Sequence, residues 1–152
     1  MINKRKDSEA QAAMILSSHK KFLGKDLFKI CNEASLAEQI FKAPMAILSH
    51  GVEADPLFNF ASSQALELFE LSWSDLLQMP SRLSAEAPNR EERKALLDRV
   101  NQYGFIDDYQ GVRISSTGKR FLIKRASVWN LLDKEGKYCG QAAAFSEWQD
   151  LD

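Results

Sequence analysis

Two short polar breaks, each closed by glycine, divide the last third of the chain into three segments rich in β-formers. Phe105–Ser115 carries Phe, Ile, Tyr and Val and gives way at Ser116-Thr117-Gly118-Lys119. Arg120–Leu132 carries Phe, Ile, Val and Trp and gives way at Asp133-Lys134-Glu135-Gly136, and Lys137–Trp148 ends the run. Segments long enough to pair, joined by turns this short, read as an antiparallel meander. The helical first half of the chain must then pack on it.

That first half punctuates itself. Ser8 and Gln11 have capping-box spacing ahead of Ala12, Ile15/Leu16, His19 and Phe22/Leu23, and Gly24 follows as a C-cap; this predicts one amphipathic helix of about 16 residues. Ser35 with Glu38 opens a second helix, striped by Leu36, Ala37, Ile40 and Phe41 and stopped by Pro44. Between them, Leu27, Phe28 and Ile30 suggest a short packed helix or turn. Met45–Leu48 and Leu57–Phe60 read as the first two strands, separated by Ser49-His50-Gly51 and Asp55-Pro56. Ser62 or Ser63 caps a short helix with Ala65, Leu66 and Phe69, and Ser72 with Asp75 starts another that stops at Pro80. Asn89 with Glu92 caps a longer one striped by Leu96, Leu97, Val100 and Tyr103.

This order of elements predicts an α+β fold: a five-stranded antiparallel sheet with short helices over one face and an N-terminal helical extension. Residues 1–34 form the extension and 35–152 the domain. In Arg120–Leu132 simple alternation puts Phe121, Ile123, Arg125, Ser127 and Trp129 on one face and Leu122, Lys124, Ala126, Val128 and Asn130 on the other. Both faces are apolar, so the second face is expected to be covered too, by the N-terminal helices or by a second subunit.

Bulk composition narrows the functional classes. With 20 basic against 21 acidic residues, the chain has no field to gather nucleic acid. No segment approaches the roughly 20 apolar residues of a membrane span, and no secretion signal opens the chain. Cys31 and Cys139 fit neither a disulfide framework nor a metal spacing. The expected setting is the cytoplasm.

At this point a resemblance enters. Ser49-His50-Gly51 with Asp55-Pro56, Ala65-Leu66-Glu67-Leu68-Phe69-Glu70 before Trp73, and Pro80-Ser81-Arg82-Leu83 with Ala85-Glu86 come in one order with Tyr109-Gln110-Gly111-Val112-Arg113-Ile114, Gly118-Lys119-Arg120-Phe121, Val128-Trp129-Asn130-Leu131 and Gly140-Gln141-Ala142-Ala143. From Ser35 to Trp148 the chain resembles the MEKHLA family, a PAS-like domain found in small bacterial stand-alone proteins and at the C-terminus of plant class III homeodomain–leucine-zipper factors. The resemblance implies a PAS-like sensor or interaction module, any small ligand lying between the sheet and the short helices. PAS-like domains often place Asn before the first short helix; Ser62 stands there instead, which favours capping over ligand recognition.

Candidate ligand contacts are Arg82, Glu86, Tyr103, Tyr109, Arg113, Trp129, Asn130 and Gln141. Arg82, Glu86, Arg90 and Arg93 form the most polar cluster of a packed region; it suits either an anion or carboxylate ligand or an ion-pair and capping network pinning the Pro80–Pro88 loop. Trp129 and Asn130 point to opposite faces, Trp129 toward core or subunit packing, while Asn130 and Gln141 on neighbouring strands could bond each other or a ligand. His19, His50 and Asp55 lack metal-ligand spacing, so no metal is expected. No Cys-x-x-Cys-His for haem is present, and Ser62–Glu70 lacks the cysteine that bonds flavin in photochemical PAS domains; the cofactor is left unassigned. No enzyme motif is found. The expected function is a non-enzymatic sensory or ligand-binding module acting through a homodimer or an unidentified protein partner, without nucleic acid or membrane contact. The homodimer is motivated by an N-terminal helix with no evident place to bury its stripe. The alternatives are a pure protein–protein interaction module whose pocket is filled by its own side chains, or an enzyme built on the arginine cluster.

Overall fold

A computed structural model describes residues 2–85 and 87–151. In chain order it has α1 (Ile2–Leu23), α2 (Leu36–Phe41), β1 (Ala46–His50), β2 (Phe58–Ala61), α3 (Ser63–Phe69), α4 (Trp73–Leu76), a 3₁₀ turn at Ser81–Ser84, α5 (Ala87–Tyr103), β3 (Phe105–Ile114), β4 (Arg120–Leu132), β5 (Tyr138–Phe145) and β6 (Glu147–Asp150). The strands form one antiparallel sheet in the order β2-β1-β5-β4-β3, with β6 also on β4.

The meander forms where the turn chemistry places it. Gly118 and Gly136 occupy the left-handed position of their turns, at φ of +94° and +82°. Each donates its N–H back to the residue that opens the loop, Ser115 and Asp133, closing a tight connection that a β-carbon would strain. The third segment is not one strand. It breaks at Ser146, so β5 pairs with the C-terminal half of β4 and β6 with its N-terminal half.

Simple alternation fails along β4 for a physical reason. Between Gly111↔Ile123 and Tyr109↔Ala126 the register advances three residues on β4 against two on β3. The extra residue is a bulge around Arg125, whose φ is +51°, and a bulge flips every later side chain to the other face. Phe121 and Ile123 therefore share a face with Ala126 and Val128, not with Trp129.

Each face has its own core. One holds Leu48, Phe69, Leu96, Val100, Ile123 and Val128 beneath α3 and α5. The other holds Ile47, Phe60, Trp129 and Leu131 beneath α1 and α2. Ala12 and Ile15 of α1 are fully buried there, and Trp129, also fully buried, donates its Nε1–H to the Ile15 carbonyl at 3.1 Å. The Leu132 N–H bonds Ser18 Oγ at 2.9 Å, and Gln11 Nε2 bonds Asn59 Oδ1 at 3.2 Å. The stripe of α1 thus packs on its own sheet, which removes the argument that it needs a second subunit.

The caps behave as their residue types dictate. Ser35 Oγ accepts from Glu38 N–H at 3.2 Å, and Ser72 Oγ from Asp75 N–H at 3.1 Å. Ser62, wholly buried, caps α3 through Ala65 N–H while its Oγ also binds Ile47 N–H and the Met45 carbonyl, each at 2.9 Å. Two helices start earlier than expected: α1 extends up to Ile2, so Ser8 lies inside it, and α5 begins at Ala87, so Asn89 lies in its first turn. Leu27, Phe28 and Ile30 pack as an irregular segment rather than a helix.

Candidate functional site

The helix α5 lies over the sheet with Arg93, Leu96, Leu97 and Val100 spaced i, i+3, i+4, i+7, so one stripe of it faces inward. Three of these four, with groups from β1, β3, β4 and β5, enclose a cavity of about 60 Å³. Leu48, Ile123, Val128, Ala143 and Phe145, with Phe58 and Phe69, supply its apolar lining. The polar groups converging on it are His50, Ser84, Arg93, Tyr109, Arg113 and Gln141.

Each polar group is held differently. Arg113 is 8% exposed; it donates from Nη1 to the Val112 carbonyl at 2.8 Å and from Nη2 to the Tyr109 hydroxyl at 3.1 Å, with its guanidinium 5.5 Å from the Tyr109 ring centre. The two hydrogens of Gln141 Nε2 are shared among three acceptors within reach, the Leu97 carbonyl, Asn101 Oδ1 and Asn130 Oδ1, the last at 3.1 Å across paired strands. Asn130 in turn donates to the Val100 carbonyl at 3.1 Å, tying α5 to the sheet beside the cavity. Ser84 Oγ is used by the Ser81 carbonyl.

Two groups are left over. His50 is buried, and its Nδ1 lies 3.0 Å from the Gly51 carbonyl, which makes Nδ1 the protonated nitrogen. Its Nε2 has no hydrogen-bond partner among the described residues; the Gln141 amide stands near enough to favour the charged ring, yet forms no bond to that nitrogen. Burial dominates and holds His50 below its ordinary 6.5, so the ring is neutral and Nε2 offers a bare lone pair. Arg93 is partly buried and makes no hydrogen bond or ion pair among the described residues. Burial, then the like charge of Arg113, push its guanidinium down to about 10, against a smaller pull from Tyr109.

Of the residues singled out from the sequence, the structure brings Tyr109, Arg113 and Gln141 to the cavity and sets Asn130 just behind Gln141. Arg82 is on the surface with Nε 3.1 Å from Asp55 Oδ1, and Tyr103 is 67% exposed at the end of α5. Trp129 is in the opposite core, and Glu86 lies outside the described residues. The arginine cluster divides: Arg82 and Arg90 make local bonds, Arg90 to the Ala85 carbonyl at 3.2 Å, whereas Arg93 alone turns to the cavity. His19, His50 and Asp55 do not meet. His19 packs edge-on against Trp129 at 4.8 Å in the other core, and Asp55 pairs with Arg82. Arg93 was expected only as one member of the arginine cluster and His50 only as a discounted metal ligand; neither was singled out as a cavity contact. Extending the α5 stripe one turn upstream from Leu96 and Leu97 finds Arg93; nothing local marks His50.

The MEKHLA domain model matches residues 9–150, nearly the whole chain and α1 from Glu9 onward. The chain belongs to the MEKHLA family. Over 126 residues it is 28% identical to homeobox-leucine zipper protein HOX29 of Oryza sativa subsp. indica, a match covering 80% of this chain and 15% of that protein. This MEKHLA chain thus spans a small part of the curated relative's length. The PAS domain of a Colwellia psychrerythraea protein superposes with a TM-score of 0.62 at 11% identity, covering 76% of this chain and 92% of that one. The fungal blue-light photoreceptor Vivid, in its light-state dimer, superposes with a TM-score of 0.58 at 13% identity, covering 88% and 93%. At such identities the likeness is one of fold: MEKHLA is a PAS-like α+β domain. No described helix is long and apolar enough to cross a membrane.

Proposed function

We propose that this MEKHLA domain is a non-enzymatic sensory module that takes a small molecule into the cavity beneath α5 and signals its presence by contact with another protein or a second copy of itself. The observation that carries the reading is His50 Nε2, a buried acceptor without a partner among the described residues, in a residue that lines the cavity. Buried polar atoms are almost always satisfied, and a ligand donor or an ordered water satisfies this one only when the cavity is filled. In this reading residues 1–34 form a helical extension docked on a domain running from 35 to 152, and the module works in the cytoplasm. Self-association draws support from the dimeric form of Vivid, and no longer from the α1 stripe.

Size sets the scale of the ligand. At roughly 10–15 Å³ per water-sized occupant, 60 Å³ admits about four to six non-hydrogen atoms. Very small ligands gain at most about 1.5 kcal/mol per atom and usually far less, so dissociation constants are bounded at roughly 0.3 μM and are expected to be much weaker. A thermal-shift screen therefore needs millimolar ligand. A ligand raises the melting temperature of the native chain, and Ala143→Leu, which fills the cavity, abolishes that rise. If no small molecule co-purifies by native mass spectrometry and none shifts melting, the rival reading stands, an interaction module with a closed core. Light scattering tests self-association; a strict monomer at all loadings and ligand states removes the homodimer and leaves a heterologous partner.

A further inference from the structure

The charge inventory of the cavity is one-sided. Arg93 and Arg113 both line it, and no Asp or Glu among the described residues does. Arg113 commits two of its five N–H donors, to Val112 and Tyr109, and Arg93 commits none to the described residues. Two guanidinia facing one partly dry space repel each other and lose hydration, with no counter-charge among the described residues lining it to offset either loss. Elsewhere the fold does provide that counter-charge: Arg82 has Asp55 and Arg125 has Glu147. The remaining lining is mainly hydrocarbon, from Leu48, Phe58, Phe69, Leu96, Ile123 and Val128. A bare inorganic oxyanion needs donors on every side and gains nothing from such walls. An organic acid uses both ends.

Accepting the cavity as a ligand site, we propose that its ligand is a small carboxylate of about four to six non-hydrogen atoms, its carboxylate held by Arg93 and Arg113 and its short hydrocarbon body against the apolar walls. A hydroxyl or N–H on that body meets His50 Nε2, a buried acceptor with no partner among the described residues. The planar guanidinium fork matches a carboxylate bidentately, and the charged bonds are about twice as strong as neutral ones. Three-carbon acids, with or without a 2-hydroxyl, and the unsubstituted four-carbon acid meet the size and the charge, and the 2-hydroxyl of the three-carbon acid adds the extra donor.

The test is calorimetric titration of the full chain with propionate, lactate, propionamide and inorganic phosphate, repeated on Arg93→Gln and Arg93→Lys after circular dichroism confirms that both fold. Propionate and lactate are expected to bind at least tenfold more tightly than propionamide, lactate the tighter of the two. Arg93→Gln is expected to erase that preference and Arg93→Lys to keep most of it. Propionamide binding as tightly as propionate overturns the carboxylate assignment and leaves the cavity a site for neutral molecules. Phosphate binding more tightly than either acid overturns it in favour of an inorganic anion. An acid preference that survives Arg93→Gln unchanged shows that the anion sits elsewhere. Silence from all four compounds, with nothing co-purifying, overturns the cavity reading itself.

Discussion

Arg93 provides the sharpest prediction because the expected change runs against the usual direction of mutations. Most substitutions destabilise, yet Arg93→Met should stabilise the ligand-free protein. A drop from 12.5 to about 10 means that the folded environment disfavours the charged guanidinium. At about 1.4 kcal/mol for each tenfold change in the proton equilibrium, the gross penalty is roughly 3 kcal/mol. Solvent at the partly exposed side of the group screens a share of this, which leaves ~1–2 kcal/mol to be recovered. Methionine keeps most of the hydrocarbon stem, so the packing that the stem makes is largely preserved. For a chain of this length the gain corresponds to a rise in melting temperature of about 2–8 °C. Urea unfolding followed by tryptophan fluorescence measures it, with exposed Lys94→Met as a control expected within about 0.5 kcal/mol of the parent. A loss of about 1 kcal/mol or more in Arg93→Met would refute the reasoning, since it would mean that the guanidinium is favourably paired in the folded chain.

The other expectations concern the scaffold. Burial lowers both His19 and His50 below 6.5, so between 6.5 and the folded values the unfolded chain binds more protons; stability is complete above pH 6.5 and declines as pH falls through that window. The urea midpoint should therefore be lower at pH 5.5 than at 7.5, and equal midpoints would contradict the burial of the two rings. Trp129→Ala removes a fully buried side chain and its bond to the Ile15 carbonyl, and should cost on the order of 3–5 kcal/mol with faster amide exchange in α1; a loss below 1 kcal/mol would show that α1 is not docked. Gly140 has φ of +137° and a β-carbon there would lie 2.0 Å from the His50 carbonyl oxygen, so Gly140→Ala should lower the melting temperature by several degrees; an unchanged value would mean that β1 and β5 are not packed this closely.

The parts of the fold legible in the sequence were those written locally. Turns closed by Gly118 and Gly136 announce the hairpins, and Ser35, Ser62 and Ser72 announce three helix starts, because each signal spans at most five residues. The bulge at Arg125 was not legible. A bulge is an accommodation between paired strands, and no side chain of β4 is specific for it, so periodicity carried past it places Trp129 on the wrong face. The break at Ser146 hides for the same reason, since β6 forms only because β4 is long enough to hold two partners on one edge. The cavity draws residues from at least five elements far apart in sequence, so only the register of the sheet reveals which polar groups meet. Asn130 and Gln141 could be foreseen as neighbours because both are central in consecutive strands. The α5 stripe carried upstream from Leu96 and Leu97 points to Arg93, but that Arg82 and Arg90 bond locally while Arg93 turns inward shows only in the structure.

A methyl-resolved NMR titration tests the central claim most directly, using three-carbon and four-carbon acids, amides and alcohols at millimolar concentration. The two cores supply their own controls: Leu48, Leu96 and Val128 belong to the cavity side, Ile15, Leu16 and Leu131 to the side covered by α1. Saturable shifts of the first set, with the second unmoved, are the result expected of a ligand seated between α5 and the sheet. Shifts confined to the second set, or none in either with every compound, would contradict it.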